Sequence, residues 1–294
     1  MISSPRVLAP AKINLTLEIL RRRDDGYHGV RSVMVPIGIY DEITVAPDPS
    51  GFAFSCNSAQ LDATTNLVVQ AWDALTPSNQ QFRIELVKRI PTQAGMGGGS
   101  SDAAAVLLLA LNGAFGPMPN RDWITLARNL GSDVPFFLVQ TGALVEGTGE
   151  RVTALGALPP WWCVVVKPEV AISTARAFAW IDERERIAGT RSTSASLLMN
   201  DALARANFDD VIAHLQNDFH EVIMERVPEV ALTIEALRKA GARHPLLTGS
   251  GSACFALARN ESEANNIAQA LQVHPGSCVF VAPFVQNPSW RTPR

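Results

Sequence analysis

The chain has 294 residues and a mass of 31.7 kDa, with 47% apolar and 18% charged residues, enough to build a core and about two domains. Its 25 Lys and Arg against 28 Asp and Glu leave a formal charge of −3, without the basic excess by which duplex-binding proteins neutralise phosphates. Residues 1–12 show no apolar stretch behind a basic start, and the longest purely apolar run, nine residues at 103–111, falls short of the roughly 20 needed to cross a membrane.

Cys56, Cys163, Cys254 and Cys278 have no metal-ligand spacing and read as reduced, mostly buried thiols of a cytoplasmic protein. Along the chain, Ile13, Leu15, Leu17 and Ile19 alternate with Asn14, Thr16 and Glu18, predicting one half-buried strand over 12–19. A polar turn follows over 21–28, with Asp25-Gly26 at its centre. Strands are predicted over 37–45 and 82–88, and a helix over 66–75. Residues 102–111, rich in Ala and Leu and free of breakers, predict a buried helix. Asn120 is expected to cap a helix reaching 130, and 131–135 to break the pattern. In the second half a strand is expected over 161–166. Helices are expected over 194–206, 208–226 and 229–240, the last opened by Pro228. A helix over 261–271 and a strand over 278–284 close the chain. Mixed rather than alternating elements favour an α+β fold.

The most informative segment is Gly95, Gly97, Gly98 and Gly99 with Ser100 and Ser101, set directly before the 102–111 helix. Glycines let the backbone approach a ligand closely, and the first N–H groups of a helix point outward with no internal partner. Such a helix start is a phosphate cradle, to which the serine hydroxyls add donors. No Lys follows the glycines, so this is not a Walker loop, and three adjacent glycines do not match the spaced dinucleotide-binding fingerprint.

Residues 91–105, PTQAGMGGGSSDAAA, resemble the second motif of the GHMP kinases, named for galactokinase, homoserine kinase, mevalonate kinase and phosphomevalonate kinase. Residues 10–15, PAKINL, resemble their first motif, and residues 247–252, LTGSGS, their third. The three motifs occur in the family's order across nearly the whole chain. Met96 stands where Leu is commoner, and Arg21-Arg22-Arg23 places an Arg where relatives often have Gly. Asp25-Gly26-Tyr27-His28 resembles the branch of the family whose substrate is a cytidine diphosphate ester of methylerythritol; Asn66-Leu67-Val68, Gly131-Ser132-Asp133-Val134-Pro135 and Asn217-Asp218-Phe219 agree with that branch.

The resemblance implies a two-domain α+β GHMP kinase fold. A ribosomal-protein-S5-like ATP-binding domain would span 1–157 and a ferredoxin-like domain 158–294, with the active site between them. It implies ATP as co-substrate, Mg²⁺ with it through ligands the sequence does not name, and phosphorylation of the 2-hydroxyl of the methylerythritol unit. Asp133 would be the base and Lys12 its neighbouring cation, which keeps the carboxylate ionised and offsets charge on the attacking oxygen. Pro91, Ala94, Gly95, Gly97, Gly98, Gly99, Ser100, Ser101 and Asn66 would hold the nucleotide, with Thr248, Gly249, Ser250 and Gly251 as a third loop near the phosphates. Asn14 and Thr174 would touch substrate. Tyr27 would stack on cytosine, His28 would bind its edge, and Phe178 would cover the other face; on the sequence alone Phe178 reads as core more readily than as ligand. Partners are small molecules, with no nucleic acid or membrane, and the chain is expected as a monomer or homodimer. The alternatives are another family member of mevalonate or homoserine kinase type, and a non-catalytic nucleotide sensor on the same fold.

Overall fold

The computed structural model describes residues 6–22, 26, 28–58, 64–75, 81–116, 118, 120–184 and 194–285. In chain order the N-terminal elements are β1 (Arg6–Asn14), β2 (Thr16–Arg22), β3 (His28–Pro47), β4 (Ala53–Cys56), α1 (Leu67–Leu75), β5 (Phe82–Val87), α2 (Gly98–Leu111), α3 (Trp123–Leu130), α4 (Val134–Leu138), β6 (Ala143–Gly147) and β7 (Arg151–Ala154). The C-terminal elements are β8 (Trp162–Lys167), α5 (Thr174–Glu183), α6 (Ala195–Ala204), α7 (Phe208–His214), β9 (Gln216–Asn217), α8 (His220–Arg226), α9 (Pro228–Lys239), β10 (Leu246–Leu247), β11 (Cys254–Ala258), α10 (Glu261–Ala270) and β12 (Cys278–Pro283).

The 20-residue β3 is the spine of the first sheet. It pairs antiparallel with β1, β2, β5 and β6 along different parts of its length. The alternation over 12–19 is carried by two strands instead of one. The register passes from Asn14↔Met34 to Glu18↔Arg31, and Thr16 Oγ1 accepts the Val33 N–H at 2.9 Å in place of a ladder carbonyl. The resulting bulge re-aims side chains, and Lys12 and Asn14 stand just before it. The second sheet is β10-β11-β8-β12, antiparallel throughout.

The region 208–226 is not one helix. Gln216 N donates to Leu15 O and Asp218 N to Leu17 O, so the chain extends between α7 and α8 and β9 joins β2 in parallel. The cap of α3 is Asp122, which accepts from Ile124 N and Thr125 N at 3.0 and 3.1 Å, rather than Asn120. α5 and the short strands β4, β6, β7, β10 and β11 had no distinct sequence signal; β11, CFALA, is Ala-rich and takes strand form where β10 and β8 pair with its two edges.

Three apolar clusters form. One lies between the first sheet and α1 to α4, including Trp72, Val106 and Phe137. One fills the second sheet's helical face, with Val164, Val222 and Ile234. The third joins the two halves: Ile13, Val33 and Val35 meet Met199, Phe208, Phe255 and Phe284. Of the four free cysteines, Cys163 and Cys254 are buried, with thiol pKa values pushed up by burial, while Cys56 is half-buried and Cys278 exposed. The expectation of mostly buried thiols holds for two of them. No helix among the described residues is long and apolar enough to cross a membrane.

Candidate active site

Two loops meet back to back at the start of α2. Gly95 and Gly97 take positive φ (74° and 71°), and Gly97 is the left-handed residue from which α2 begins. The helix therefore starts inside the glycine run, four residues earlier than the apolar pattern indicated, and presents its free N–H groups there. A Cβ on Gly95 would lie 2.1 Å from Thr248 O, so only glycine permits the contact between the second and third loops. Ala253 N donates to Ala94 O at 3.1 Å and Thr248 Oγ1 to Gly95 O at 3.4 Å, closing the junction. Asn217 fixes the third loop from behind, donating to Leu247 O and Gly249 O, both at 2.8 Å.

Lys12, only 3% exposed, sits beside this junction. Its Nζ donates to Asn14 Oδ1 at 2.7 Å and lies 3.5 Å from Asp133 Oδ2. Asn14 is fully buried and donates through Nδ2 to Ser32 Oγ at 2.8 Å, while its backbone N–H donates to Thr248 Oγ1 at 3.1 Å. Asn14 thus joins the first motif to the third loop. Asp133 stands at the N-terminus of α4 but its carboxylate caps no N–H, and it is 28% exposed. Asn66 spends its Oδ1 on the Val68 N–H at 3.0 Å, opening α1.

Across the cleft, the His28 and Phe178 rings stack at 5.5 Å between centroids and 6° between planes. His28 Nε2 lies 2.8 Å from Asp182 Oδ1 and Nδ1 3.2 Å from Leu20 O. Both ring nitrogens face acceptors, so a ligand edge binding His28 must exchange one of them. A base sandwiched between the two rings would need about 7 Å, twice ordinary contact distance. Tyr27 lies outside the described residues. Thr174 begins α5, with its hydroxyl 3.1 Å from Ser250 Oγ of the third loop.

One cleft of about 1210 Å³ gathers these residues: Lys12, Asn14, His28, Asn66, Pro91, Ala94 to Ser100, Asp133, Thr174, Phe178 and Gly249 to Gly251. It exceeds the roughly 300–1,000 Å³ common for a single ligand, which suits two phosphorylated molecules end to end. Ser101 and Thr248 are the exceptions. Both are fully buried and line no part of the cleft, Ser101 within the first turns of α2 and Thr248 as the clasp between loops. Among the described residues no cluster of three His, Cys, Asp or Glu could hold a metal ion.

The structure adds residues that the sequence reading did not select. Asp41 on β3, Lys88 after β5 and Asp102 on α2 form a buried cluster behind the glycine loop. Lys88 Nζ donates to Asp102 Oδ2 at 2.7 Å and also to Asp41 Oδ2. Burial pushes the Asp102 carboxyl up to about 8 against the pull of Lys88. Burial lowers Lys88, but the two carboxylates outweigh it and hold the ammonium above its usual range. Lys88 and Asp102 line the cleft, and Asp102 lies within the quoted second motif; their long-range partner Asp41 had no local signal.

A glycine-loop cradle between two α+β domains, with a lysine and a carboxylate at its edge, defines a small-molecule kinase class. In agreement, residues 66–141 match the GHMP kinases N terminal domain and residues 199–275 the GHMP kinases C terminal domain. The chain is 39% identical over 271 residues to 4-diphosphocytidyl-2-C-methyl-D-erythritol kinase of Geobacter metallireducens, covering 90% of this chain and 92% of that one. It is 39% identical over 296 residues to the protein of the same name from Deinococcus radiodurans, covering 97% and 96%. A crystal structure of 4-(cytidine 5'-diphospho)-2C-methyl-D-erythritol kinase superposes with a TM-score of 0.78 at 35% identity, covering 95% of this chain and 99% of that one. The chain belongs to the 4-diphosphocytidyl-2-C-methyl-D-erythritol kinase family.

Proposed function

We propose that this chain transfers the γ-phosphoryl group of ATP to the 2-hydroxyl of 4-diphosphocytidyl-2-C-methyl-D-erythritol, giving ADP and the 2-phosphate, in non-mevalonate isoprenoid precursor synthesis. The observation that carries this reading is the Lys12–Asp133 pair, 3.5 Å apart, at the point of the cleft between the glycine cradle and the His28–Phe178 face. Mg²⁺ arriving with the co-substrate would offset charge on its phosphates, and among the described residues no cluster of three His, Cys, Asp or Glu would hold the ion by itself.

The backbone N–H groups of Gly95 to Ser100 and the start of α2 hold the phosphates. Asp133 takes the proton of the acceptor hydroxyl as its oxygen attacks the γ-phosphorus; the bond to the bridging oxygen breaks and ADP leaves. Lys12 offsets charge at the attacking oxygen, and its bond to Asn14 fixes its position. Asn66 and α1 border the nucleoside end. Tyr27, His28 and Phe178 receive the cytosine, and Thr174 with Ser250 lies toward the substrate's phosphates. The domain boundary falls near residue 157, between β7 and β8.

The test is ADP release by the purified protein with ATP, Mg²⁺ and the cytidylated methylerythritol, run beside mevalonate and homoserine. Turnover of the first alone is expected. Turnover of either of the others without the first would overturn the substrate assignment.

A further inference from the structure

The cluster of Asp41, Lys88 and Asp102 takes no part in the phosphoryl transfer just described, yet it stands directly behind the loop that receives the phosphates. Asp41 and Asp102 are 0% and 2% exposed, and the Lys88 side chain 8%. Lys88 Nζ would lie 3.1 Å from a Cβ on Gly98, the first residue of α2, so the ammonium lies against the base of the phosphate loop. Asp41 is fully engaged, its Oδ1 accepting from Ile90 N at 2.8 Å and from Arg89 N, and its Oδ2 from Lys88. Asp102 gives one oxygen to Lys88, and its Oδ1 is buried without a partner among the described residues.

Two carboxylates on one ammonium, all ionised, leave one uncompensated negative charge in a dry wall. Buried charge without a partner is costly, and this charge would face incoming phosphates. The other elements packed on α2 bring nothing that balances it. Lys12 of β1 is engaged by Asn14 and Asp133. Arg6 of β1 and Arg89 pair with Glu42 of β3, and Arg31 of β3 with Glu146. Arg128 of α3 is exposed and acts on Glu150, Asp73 of α1 is exposed, and α4 carries no charged residue. A proton on Asp102 removes the excess, and Oδ1, lacking any donor, is where a carboxylic acid tolerates its absence.

We propose that Asp102 is carried as a neutral carboxylic acid and acts as a positioning residue, holding Lys88 between β3 and α2 so that the wall behind the phosphate loop bears no net negative charge. The nucleotide part of this inference rests on reading the loop as the phosphate cradle; the protonation itself does not. The raised pKa of Asp102 agrees with the charge count.

The sign follows from linkage. An unfolded aspartate ionises near 3.8 while the folded one keeps its proton to about 8, so the folded state loses stability relative to the unfolded as pH rises through that window. Asp102→Asn carries no such penalty. The experiment compares thermal unfolding midpoints of parent and Asp102→Asn, without ligand, between pH 5 and pH 9. The advantage of Asn over the parent should grow with pH and level off above pH 8; a constant or shrinking difference overturns the proposal. In the same pair, kcat/KM for ATP should fall about tenfold per pH unit above that pKa in the parent and stay flat in Asp102→Asn; an identical alkaline fall in both overturns it. If the stability arm behaves as expected and neither protein turns over the proposed substrate, the substrate assignment fails and the protonated Asp102 stands. Should Asp102→Asn not fold, the infrared spectrum of the parent decides: a carboxylic-acid carbonyl band present at pH 7 and lost at pH 10 supports the proposal, and its absence at pH 7 overturns it.

Discussion

Lys12 and Asp133 are 3.5 Å apart but differ in surroundings, 3% against 28% exposed. The lysine is enclosed by the glycine loop, and a Cβ on Gly97 would stand 3.1 Å from its Cγ. Its ammonium can move little, which suits a fixed charge aimed at an oxygen that becomes negative during reaction. The carboxylate is reachable, and although Asp133 stands at the N-cap position just before α4 it spends no oxygen on capping that helix. Replacing it should therefore remove chemistry and leave the fold. Asp133→Asn is expected to lower kcat by about 10²-fold or more, with KM for either substrate within a few-fold and the unfolding midpoint unchanged. Steady-state kinetics with a calorimetric control check this, and near-parental kcat would remove Asp133 from the role of base. Both residues were legible in the sequence because each lies in a short motif that carries its own local geometry. Asp41 had no signal in the sequence and Thr248 read only as part of a phosphate loop, because their partners lie 47 and 234 residues away, at Lys88 and Asn14, and no local spacing encodes such meetings.

At the scale of elements, several starts and stops depend on side chains from elsewhere in the chain. α6 is the clearest case. Ser194 precedes it without making a side-chain cap. Instead Glu18 of β2 accepts from Ser194 Oγ at 2.6 Å, Ser196 N at 3.1 Å and Ala195 N at 3.3 Å. A carboxylate at a helix N-terminus satisfies orphan N–H groups and meets the positive end of the dipole. From sequence, Glu18 was simply a polar position in an alternating strand. Likewise the strand at 216–217 interrupts what reads as one continuous helix, because only the pairing with β2 makes extension favourable there. Burial raises the pKa of Glu18, but the bonds from Ser194, Ser196 and Ala195 outweigh it, and the net shift is downward from 4.5. A depressed folded pKa contributes stability that is present above the unfolded value and lost as pH falls through the folded one. Glu18→Gln should therefore lower the unfolding midpoint at pH 7, by an amount corresponding to about 1–2 kcal/mol. The gap to the parent should close below pH 4.5 as the parent's own carboxylate protonates. Midpoints measured from pH 3 to pH 7 check this, and a gap that is the same at both ends would show that charge plays no part in the cap.

For the whole molecule, the two domains share more than a cleft. The third apolar cluster draws Ala11, Ile13, Val33 and Val35 from the first sheet and Met199, Leu203, Phe208, Phe255 and Leu257 from the second half. β9 adds a strand from the C-terminal half to β2, and Ile37 bridges to Phe284. The net charge of −3, which argues against a general polyanion binder, is compatible with the proposed phosphate binding because the proposed cradle is local: backbone N–H groups and the buried Lys12 would take the place of a basic surface. The sequence conveyed the two-domain α+β organisation through its three glycine-bearing motifs, but not the joint core, since apolar alternation marks which face is buried without saying what buries it. Cutting the chain at the proposed domain boundary would expose that face of the first sheet. A fragment of residues 1–157 is therefore expected to lack a stable fold and to bind an apolar dye strongly, whereas the full chain should unfold in one cooperative transition. Calorimetry and dye fluorescence on both check this. A fragment that melts cooperatively, with no dye binding, would mean that α1 to α4 and the first sheet close a sufficient core on their own and that the shared cluster serves only to set the angle of the cleft.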